Sequence, residues 1–279
     1  MQYNTQQWNA TLYGGSGLTQ EVYSSNFLVF NGLSLSDNVN VVCEDFRESM
    51  AEREMDVSSV PLADGVHINS LYERATILRS RHRVIQDDAE ALEAYLDTVK
   101  RSIAAQEGNL DITRNGEARR YIATLKNPEA ILESREKWDV SMAPLELEWL
   151  CHEGSSADRA YTILSDSFTA SPDTMILDNQ GTANARPVFV IVFNTATDIT
   201  ACKIGNDTTG EQIQYTGTLE AGDSLVIDSE EQTVTLNGTA VSFLGSLPLL
   251  AVGVNTIRLT VTGTSFATAV TVKWKRRWR

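Results

Sequence analysis

The sequence predicts a mainly β protein of the α+β class, with one long helix in its first half and a β-sandwich in its second half. Threonine, whose branched side chain suits strands, rises from 8 of residues 1–165 to 19 of residues 166–279. Apolar residues alternate with polar ones over most of the second half. A single clear segment, by contrast, shows helical spacing. These observations divide the chain into three parts: an arm (1–20), a β-rich domain (21–165) and a sandwich (166–279).

The length and the net charge of the chain limit the functions that it can have. The chain has 279 residues, enough for two ordinary domains, and a formal net charge of −14. Proteins that bind nucleic acid through phosphates usually carry the opposite charge, so we expect no sequence-specific nucleic-acid partner. No apolar run reaches about 18 residues, so we expect no membrane insertion. The polar first 20 residues, with three closely spaced glycines, are predicted to form a flexible or partner-ordered arm.

The N-terminal domain is predicted as a β layer covered by one helix. Residues 27–43 are expected to form two strands joined by turn residues. A helix is predicted over 88–107, with Asp87 as its cap, Glu90 completing a capping box and Gly108 as a left-handed stop. Its apolar positions recur on one face, at Leu92, Leu96, Val99 and Ile103.

A hairpin and a further strand follow the helix. Asn115-Gly116 is a type I′ turn signal between two alternating stretches, so residues 108–125 are predicted to form a β-hairpin. Residues 128–137 fit a short helix or a strand equally well. Residues 145–151 alternate and are predicted as a strand with one buried face.

The second half is predicted to be strands throughout. Small and turn-forming residues in SDSFTASPDT (165–174) indicate a linker between the domains. The spacing of turn signals after it is typical of a two-sheet sandwich. The expected strands cover 188–193, 199–205, 211–217, 223–228, 233–238, 255–263 and 269–278.

The last seven residues, KWKRRWR, suggest a nucleic-acid or membrane tail when taken alone. In phase with Val270 and Val272 they have a period of two, which is incompatible with a basic amphipathic helix. We therefore predict the closing strand of the sandwich, with its cations facing solvent. Trp274 and Trp278 are the candidate contacts to a sugar or a partner; the alternative is that Trp274 is core and Trp278 packs at the edge.

Motifs for catalysis or metal binding are absent from the sequence. It contains no nucleophile elbow, HExxH, phosphate loop, dinucleotide fingerprint or EF-hand loop, so we expect no enzyme, no catalytic residues, no cofactor and no metal. Cys43, Cys151 and Cys202 are too few and too widely spaced for a disulfide framework and are expected to be buried thiols. The histidines His67, His82 and His152 are expected to be ordinary surface or core residues. The basic run RSRHR (79–83) is expected at a strand end, with exposed cations.

The order of these segments resembles a known family. EREMDVSSVPLADGVHINSLYERATILRSRHRVIQDDAEALEAYLDTVKRSI (52–103) is similar to the belt region of the distal tail proteins of long-tailed siphophages, with its strands followed by one helix. GNLDITRNGEARRYIATL (108–125) resembles the hairpin that follows. The stretches 219–241 and 247–263, with the basic aromatic strand after them, resemble the family's galectin-like C-terminal sandwich.

The resemblance implies a structural protein of the virion, located at the distal end of a phage tail and made in the cytoplasm of the bacterial host. It implies a homo-hexamer in which a ring or belt domain forms the ring and a galectin-like β-sandwich projects outward. The implied partners are the tail tube protein and the tail-tip or hub proteins. As an alternative, the sandwich would be a carbohydrate-binding module for the host receptor. The family brings no catalytic residues to this chain.

Overall fold

The computed structural model describes residues 23, 26–49, 53–59, 66–73, 75–103, 107–114, 116–127 and 141–279. Their elements, in chain order, are β1 (Leu28–Phe30), β2 (Leu33–Ser34), β3 (Val41–Glu48), β4 (Arg53–Ser59), β5 (Val66–Glu73), β6 (Thr76–Ile85), α1 (Ala89–Ile103), β7 (Gly108–Arg114), β8 (Glu117–Leu125), β9 (Met142–Cys151), β10 (Ser156–Asp158), β11 (Thr162–Phe168), β12 (Asp173–Asn179), β13 (Val188–Thr197), β14 (Ile199–Asn206), β15 (Glu211–Leu219), β16 (Ser224–Asp228), β17 (Thr233–Leu236), β18 (Thr239–Ala240), β19 (Leu244–Gly245), β20 (Gly253–Thr262), β21 (Ser265–Trp274) and β22 (Arg277–Trp278). The predicted α+β class with a strong β majority is confirmed.

The N-terminal domain is one antiparallel sheet with a helix packed on it. Its strands lie in the order β2-β1-β7-β8-β9-β6-β3, and β10 pairs with β8 beside this path. β4 and β5 form a separate two-stranded hairpin. The predicted hairpin of residues 108–125 is confirmed as β7 and β8, with Gly116 at φ +81° in the turn, where glycine has no Cβ penalty. The arm and residues 128–137 lie outside the described residues.

Helix α1 confirms the predicted apolar face but not the predicted ends. Leu92, Leu96, Val99 and Ile103 are all buried in the same core as the sheet. The N-cap is Asp88, one residue later than predicted, and its Oδ1 accepts a bond of 2.8 Å from the Ala91 amide. The predicted capping box is therefore wrong. Gly108 is also not a helix stop, since it opens β7 opposite Ala123. This helix is neither long nor apolar enough to cross a bilayer, and the rest of the described chain offers no other candidate.

The C-terminal domain is a sandwich of two antiparallel sheets, as predicted. One sheet has the order β11-β21-β13-β16-β17-β18 and the other β12-β20-β14-β15-β19. Inward side chains of both sheets form one core, in which Phe189, Ile191 and Phe193 of β13 are fully buried. Burial of each such side chain stabilises the fold by about 1.5–3 kcal/mol.

The predicted linker at 165–174 is wrong. Residues 165–168 lie in β11, which pairs with β21 along its whole length, and β12 begins at Asp173. The small polar residues there reflect an edge strand whose residues 162–167 are all exposed, so no buried alternation marks it. Because β11 begins at Thr162, we place the domain boundary between β10 and β11, slightly before the expected residues 165/166.

Candidate functional site: the joint between the two domains

The two domains are joined by a strand as well as by the chain that leads from β10 to β11. The sandwich strand β21 ends at Trp274, and after two residues the chain forms β22. β22 pairs antiparallel with β10, which itself pairs with β8 of the N-terminal sheet. A strand that follows the sandwich in sequence thus extends the sheet of the other domain.

We call the contact of β22 and the two residues before it with β10, β8 and the residues between β9 and β10 the joint, and Asp158 is at its centre. Its Oδ2 accepts a hydrogen bond of 2.5 Å from Arg276 Nε, and its Oδ1 accepts one of 3.0 Å from the Trp278 indole. The Asp158 side chain is 12% exposed and that of Arg276 25%, so the ion pair is only weakly screened by water. The hydrogen bond to Asp158 raises the pKa of Arg276 above its ordinary value. This pair therefore ties β10 to the segment that enters β22.

Two guanidinium groups lie within cation–π distance of the Trp278 ring. The Arg119 Cζ is 4.0 Å from the centroid of its ring, and the Arg276 Cζ is 5.5 Å away. Both distances are within the range of cation–π attraction, which contributes about 0.5–2 kcal/mol depending on exposure. Arg119 belongs to β8, so this contact links the final tryptophan directly to the N-terminal sheet.

Arg277 points away from solvent on the opposite side of β22. Its side chain is 8% exposed and contacts the carboxylate of Glu153, which also lies 3.9 Å from Arg186. Burial lowers the pKa of Arg277 from its ordinary value. A carboxylate partner is what a guanidinium in such a site needs, since an unpaired buried charge costs several kcal/mol.

The backbone of β22 is held on its other side by a turn that requires glycine. The amides of Thr182 and Ala183 donate to the Arg277 carbonyl at 2.9 and 3.0 Å. A Cβ on Gly181 would lie 2.4 Å from that same oxygen, closer than any ordinary contact. Gly181 is thus the residue that allows the sandwich to close over β22.

The prediction for KWKRRWR is corrected by this geometry. The continuous strand expected over 269–278 ends at Trp274, and the cations do not all face solvent, because Arg276 and Arg277 make ion pairs inside the joint. Of the two candidate contact residues, Trp274 is 3% exposed in the sandwich core, as the core alternative predicted. Trp278 is half-buried against Arg119 rather than on an open edge.

The joint residues from the N-terminal domain were missed by sequence reasoning. Arg119, Glu153 and Asp158 stand in no motif, and each lies more than a hundred residues before its partner in β22 or the segment that enters it. The C-terminal basic run KWKRRWR was the one signal in the sequence that pointed to these contacts. Consecutive cations in an acidic chain need acidic neighbours once they are buried.

The basic run RSRHR lies in the middle of β6, not at a strand end as predicted. Its three arginines share the exposed face of the strand and are paired within the chain. Arg83 contacts Glu44, Arg81 lies 3.6 Å from Glu44 and from Glu146, and Arg79 lies 3.4 Å from Glu148. Such a ladder of exposed pairs keeps the sheet face close to neutral, and each pair contributes little to stability.

The remaining titratable candidates are structural. Cys43, Cys151 and Cys202 are buried thiols, and burial raises the pKa of each to about 12. His82 is fully buried, while His152 is exposed and its ring contacts Thr124 at 2.8 Å. The side chain of His67 is outside the described part of the chain. Within that part, no three metal-binding side chains come together.

An open groove of about 250 Å³ lies over the outer face of the five-stranded sheet. Its walls include Lys203, Gln212 and the ion pair of Arg258 with Asp207, whose closest atoms are 2.5 Å apart. Arg258 and Asp207 are therefore already paired with each other, while Lys203 and Glu211 add one charge of each sign to the groove wall. The hydrogen bond from Arg258 lowers the pKa of Asp207.

Comparison with known proteins gives matches to phage tail components. Residues 180–278 match the C-terminal domain of the siphovirus-type tail component family SPP1_Dit. The crystal structure of SPP1 Dit (gp 19.1), a hub adsorption protein of a phage that infects Gram-positive bacteria, is similar at 16% identity and a TM-score of 0.65, over 91% of this chain and 99% of that one. A chain of the phage p2 baseplate in its activated conformation with Sr has 9% identity and a TM-score of 0.40, over 86% and 91%. No curated protein sequence matches the chain.

The fold similarity extends over both domains, whereas the family match covers β22 and the sandwich from residue 180 onward, without β11 and β12. The joint therefore lies at the meeting point of the matched domain and the N-terminal sheet. Residues 180–278 are thus similar to the C-terminal domain of siphovirus-type tail components, and the chain has a fold similar to that of SPP1 Dit.

Proposed function

We propose that this protein is a structural hub of a siphophage tail, which forms a homo-hexameric ring between the tail tube and the distal tip or host-recognition apparatus. The observation that carries the proposal is the coincidence of two findings: residues 180–278 match a family of tail components, and 91% of the chain has a fold similar to SPP1 Dit. On this proposal the protein is part of the virion and catalyses no reaction.

The joint supports a mechanical role. A hub that holds a projecting domain has to transmit force between its domains, and a flexible linker alone does not do this. Here β22 adds main-chain pairing, the Asp158–Arg276 ion pair and the stacked Trp278 to the covalent connection. We propose that this second connection fixes the direction in which the sandwich leaves the ring.

The proposal does not extend to sugar binding by the two tryptophans. Trp274 has almost no exposed surface, and one face of Trp278 is covered by Arg119. Recognition of a sugar ring by stacking needs an open aromatic face.

The experiment is negative-stain electron microscopy of the purified full chain, combined with antibody labelling of intact virions. We expect six-fold rings in class averages and label at the distal end of the tail, away from the head. Pre-immune serum is the control for labelling. Label along the whole tail, or on the head, would refute the hub assignment, and rings of another symmetry would refute the hexamer alone.

A further inference from the structure

Residues 188–193 of β13 are apolar on both faces of the strand. Its inward residues Phe189, Ile191 and Phe193 fill the sandwich core. The alternating residues Val188, Val190 and Val192 lie on the outer face of the six-stranded sheet and are only partly buried. A sheet with one solvated face normally carries polar residues there, whereas strands that are covered on both faces are apolar throughout.

The apolar outer surface continues onto neighbouring strands. Val190 lies between Thr271 and Val226, and Val192 lies between Ala269 and Ser224. Ile163 of the edge strand β11 points to the same side and is 57% exposed. We call this surface the valine face; its members are Ile163, Val188, Val190, Val192, Val226, Ala269 and Thr271.

In the row of residues that runs across the strands at Val188, opposite charges stand one strand away on either side of β13. Val188 is paired with Lys273 of β21 on one side and with Asp228 of β16 on the other. Both charged residues are partly exposed and belong to the outer face. A two-fold axis that runs along β13 exchanges the positions of these two strands. It therefore places Lys273 of each copy over Asp228 of the other.

We propose that the valine face is the contact between two copies of this chain, packed sheet against sheet about a two-fold axis parallel to β13. The valines of the two copies then meet at the axis, flanked by two Lys273–Asp228 pairs. A two-fold axis perpendicular to the strands places each β21 over itself and brings no opposite charges together. The charge pattern thus selects one arrangement.

The size of the face fixes the expected strength. An axis along β13 places β11 of each copy over β17 of the other, so the contact spans the five strands from β11 to β17 in the sheet order. At ~4.8 Å spacing and about 20 Å of strand length they give a footprint of roughly 500 Å² on each copy. A total near 1,000 Å² is about the lower limit for a specific interface. The contact is therefore reversible and depends on protein concentration. It goes beyond the proposed ring, because it doubles the mass of whatever particle the chain forms.

The test is sedimentation velocity of the full chain over a wide range of concentration. The wild type is expected to show a doubling of mass as concentration rises. Lys273→Asp and Asp228→Lys should each weaken the doubling at least tenfold, because like charges then meet across the axis. The double variant K273D/D228K should restore it, which a variant that merely misfolds cannot do. A doubling that neither single variant weakens, or a double variant no better than the singles, would overturn the arrangement.

Cross-linking locates the axis independently. Val190→Cys places a thiol beside its own copy across the axis, and all three native thiols are buried. Sheets pack ~10 Å apart, too far for a direct disulfide, so a short bis-maleimide is the reagent. The control is Ile176→Cys, which is 67% exposed on the outer face of the other sheet. We expect linked dimers for V190C and not for I176C; equal yields, or linkage of V190C to a different protein in assembled tails, would refute the self-contact.

Discussion

The joint gives the sharpest prediction for a point substitution, Asp158→Asn. The amide keeps an acceptor for the Trp278 indole but loses the charge that holds Arg276 at 2.5 Å, and the remaining acid near Arg276, Glu117, is 3.5 Å away. A hydrogen bond between charged and mostly buried groups contributes about 1.5–3 kcal/mol. We therefore expect the joint to lose ~2 kcal/mol.

Hydrogen exchange measures this loss locally. The Asp158 amide donates to the Arg276 carbonyl at 3.0 Å, so its protection reports the opening of the joint. A loss of ~2 kcal/mol raises the exchange rate about thirty-fold when exchange follows local opening. Amides of β13, inside the sandwich, should keep their protection because the substitution does not touch that core.

The matched control is Asp207→Asn, which removes the charge from the equally short but exposed pair with Arg258. Solvent screening should leave exchange in the joint and the overall unfolding free energy unchanged in that variant. If Asp158→Asn changed exchange at Asp158 no more than the control did, the ion pair would not hold the joint, and main-chain pairing alone would account for it.

Three further predictions follow from single residues. Gly181→Ala should lower the unfolding free energy in urea by about 1–3 kcal/mol, since its Cβ would overlap the Arg277 carbonyl oxygen, and an unchanged midpoint would show that the turn can yield. Burial lowers the pKa of His82 to about 4 from the ordinary 6.5, so the folded state resists protonation. The free energy of unfolding should therefore fall as pH drops from 6.5 to 4, by roughly 3 kcal/mol at ~1.4 kcal/mol per pH unit. His82→Phe should flatten that part of the pH profile, and an equally steep profile would assign the loss to other groups. Asp166, which is exposed and lies in register with inward-facing Val270, places a charge on the free edge of β11, so Asp166→Val should increase light scattering at high concentration, whereas unchanged scattering would show that the edge is blocked by other means.

Strands were predicted from the sequence where buried residues alternate with exposed ones. The sandwich strands β13, β16 and β20 and the hairpin strand β8 each bury every second residue over most of their length, and a local pattern is enough to find them. The helix was found through its four buried apolar positions. Its cap was misplaced by one residue because Asp87 and Asp88 are adjacent and both suit an N-cap.

The joint was not predictable for a physical reason. Val270, Val272 and Trp274 recur with a period of two, and the sequence keeps this period beyond Trp274, where the strand ends. Whether Arg277 faces solvent or Glu153 depends on where the other domain lies, which is information that no short window contains. Likewise β11 is exposed on both faces, so its composition resembles a linker.

The pairing of β10 with β22 has a consequence for synthesis. Asp158 and its partner Trp278 are separated by 120 residues, so β10 leaves the ribosome long before β22 exists. During that interval the outer edge of β10 is an unpaired strand edge. The sandwich has to form and present β22 before this edge is closed, which makes the joint a late, long-range event in folding. If the proposed ring assembled before this step, its sandwiches would have no fixed direction, so on that proposal the order of folding and assembly matters.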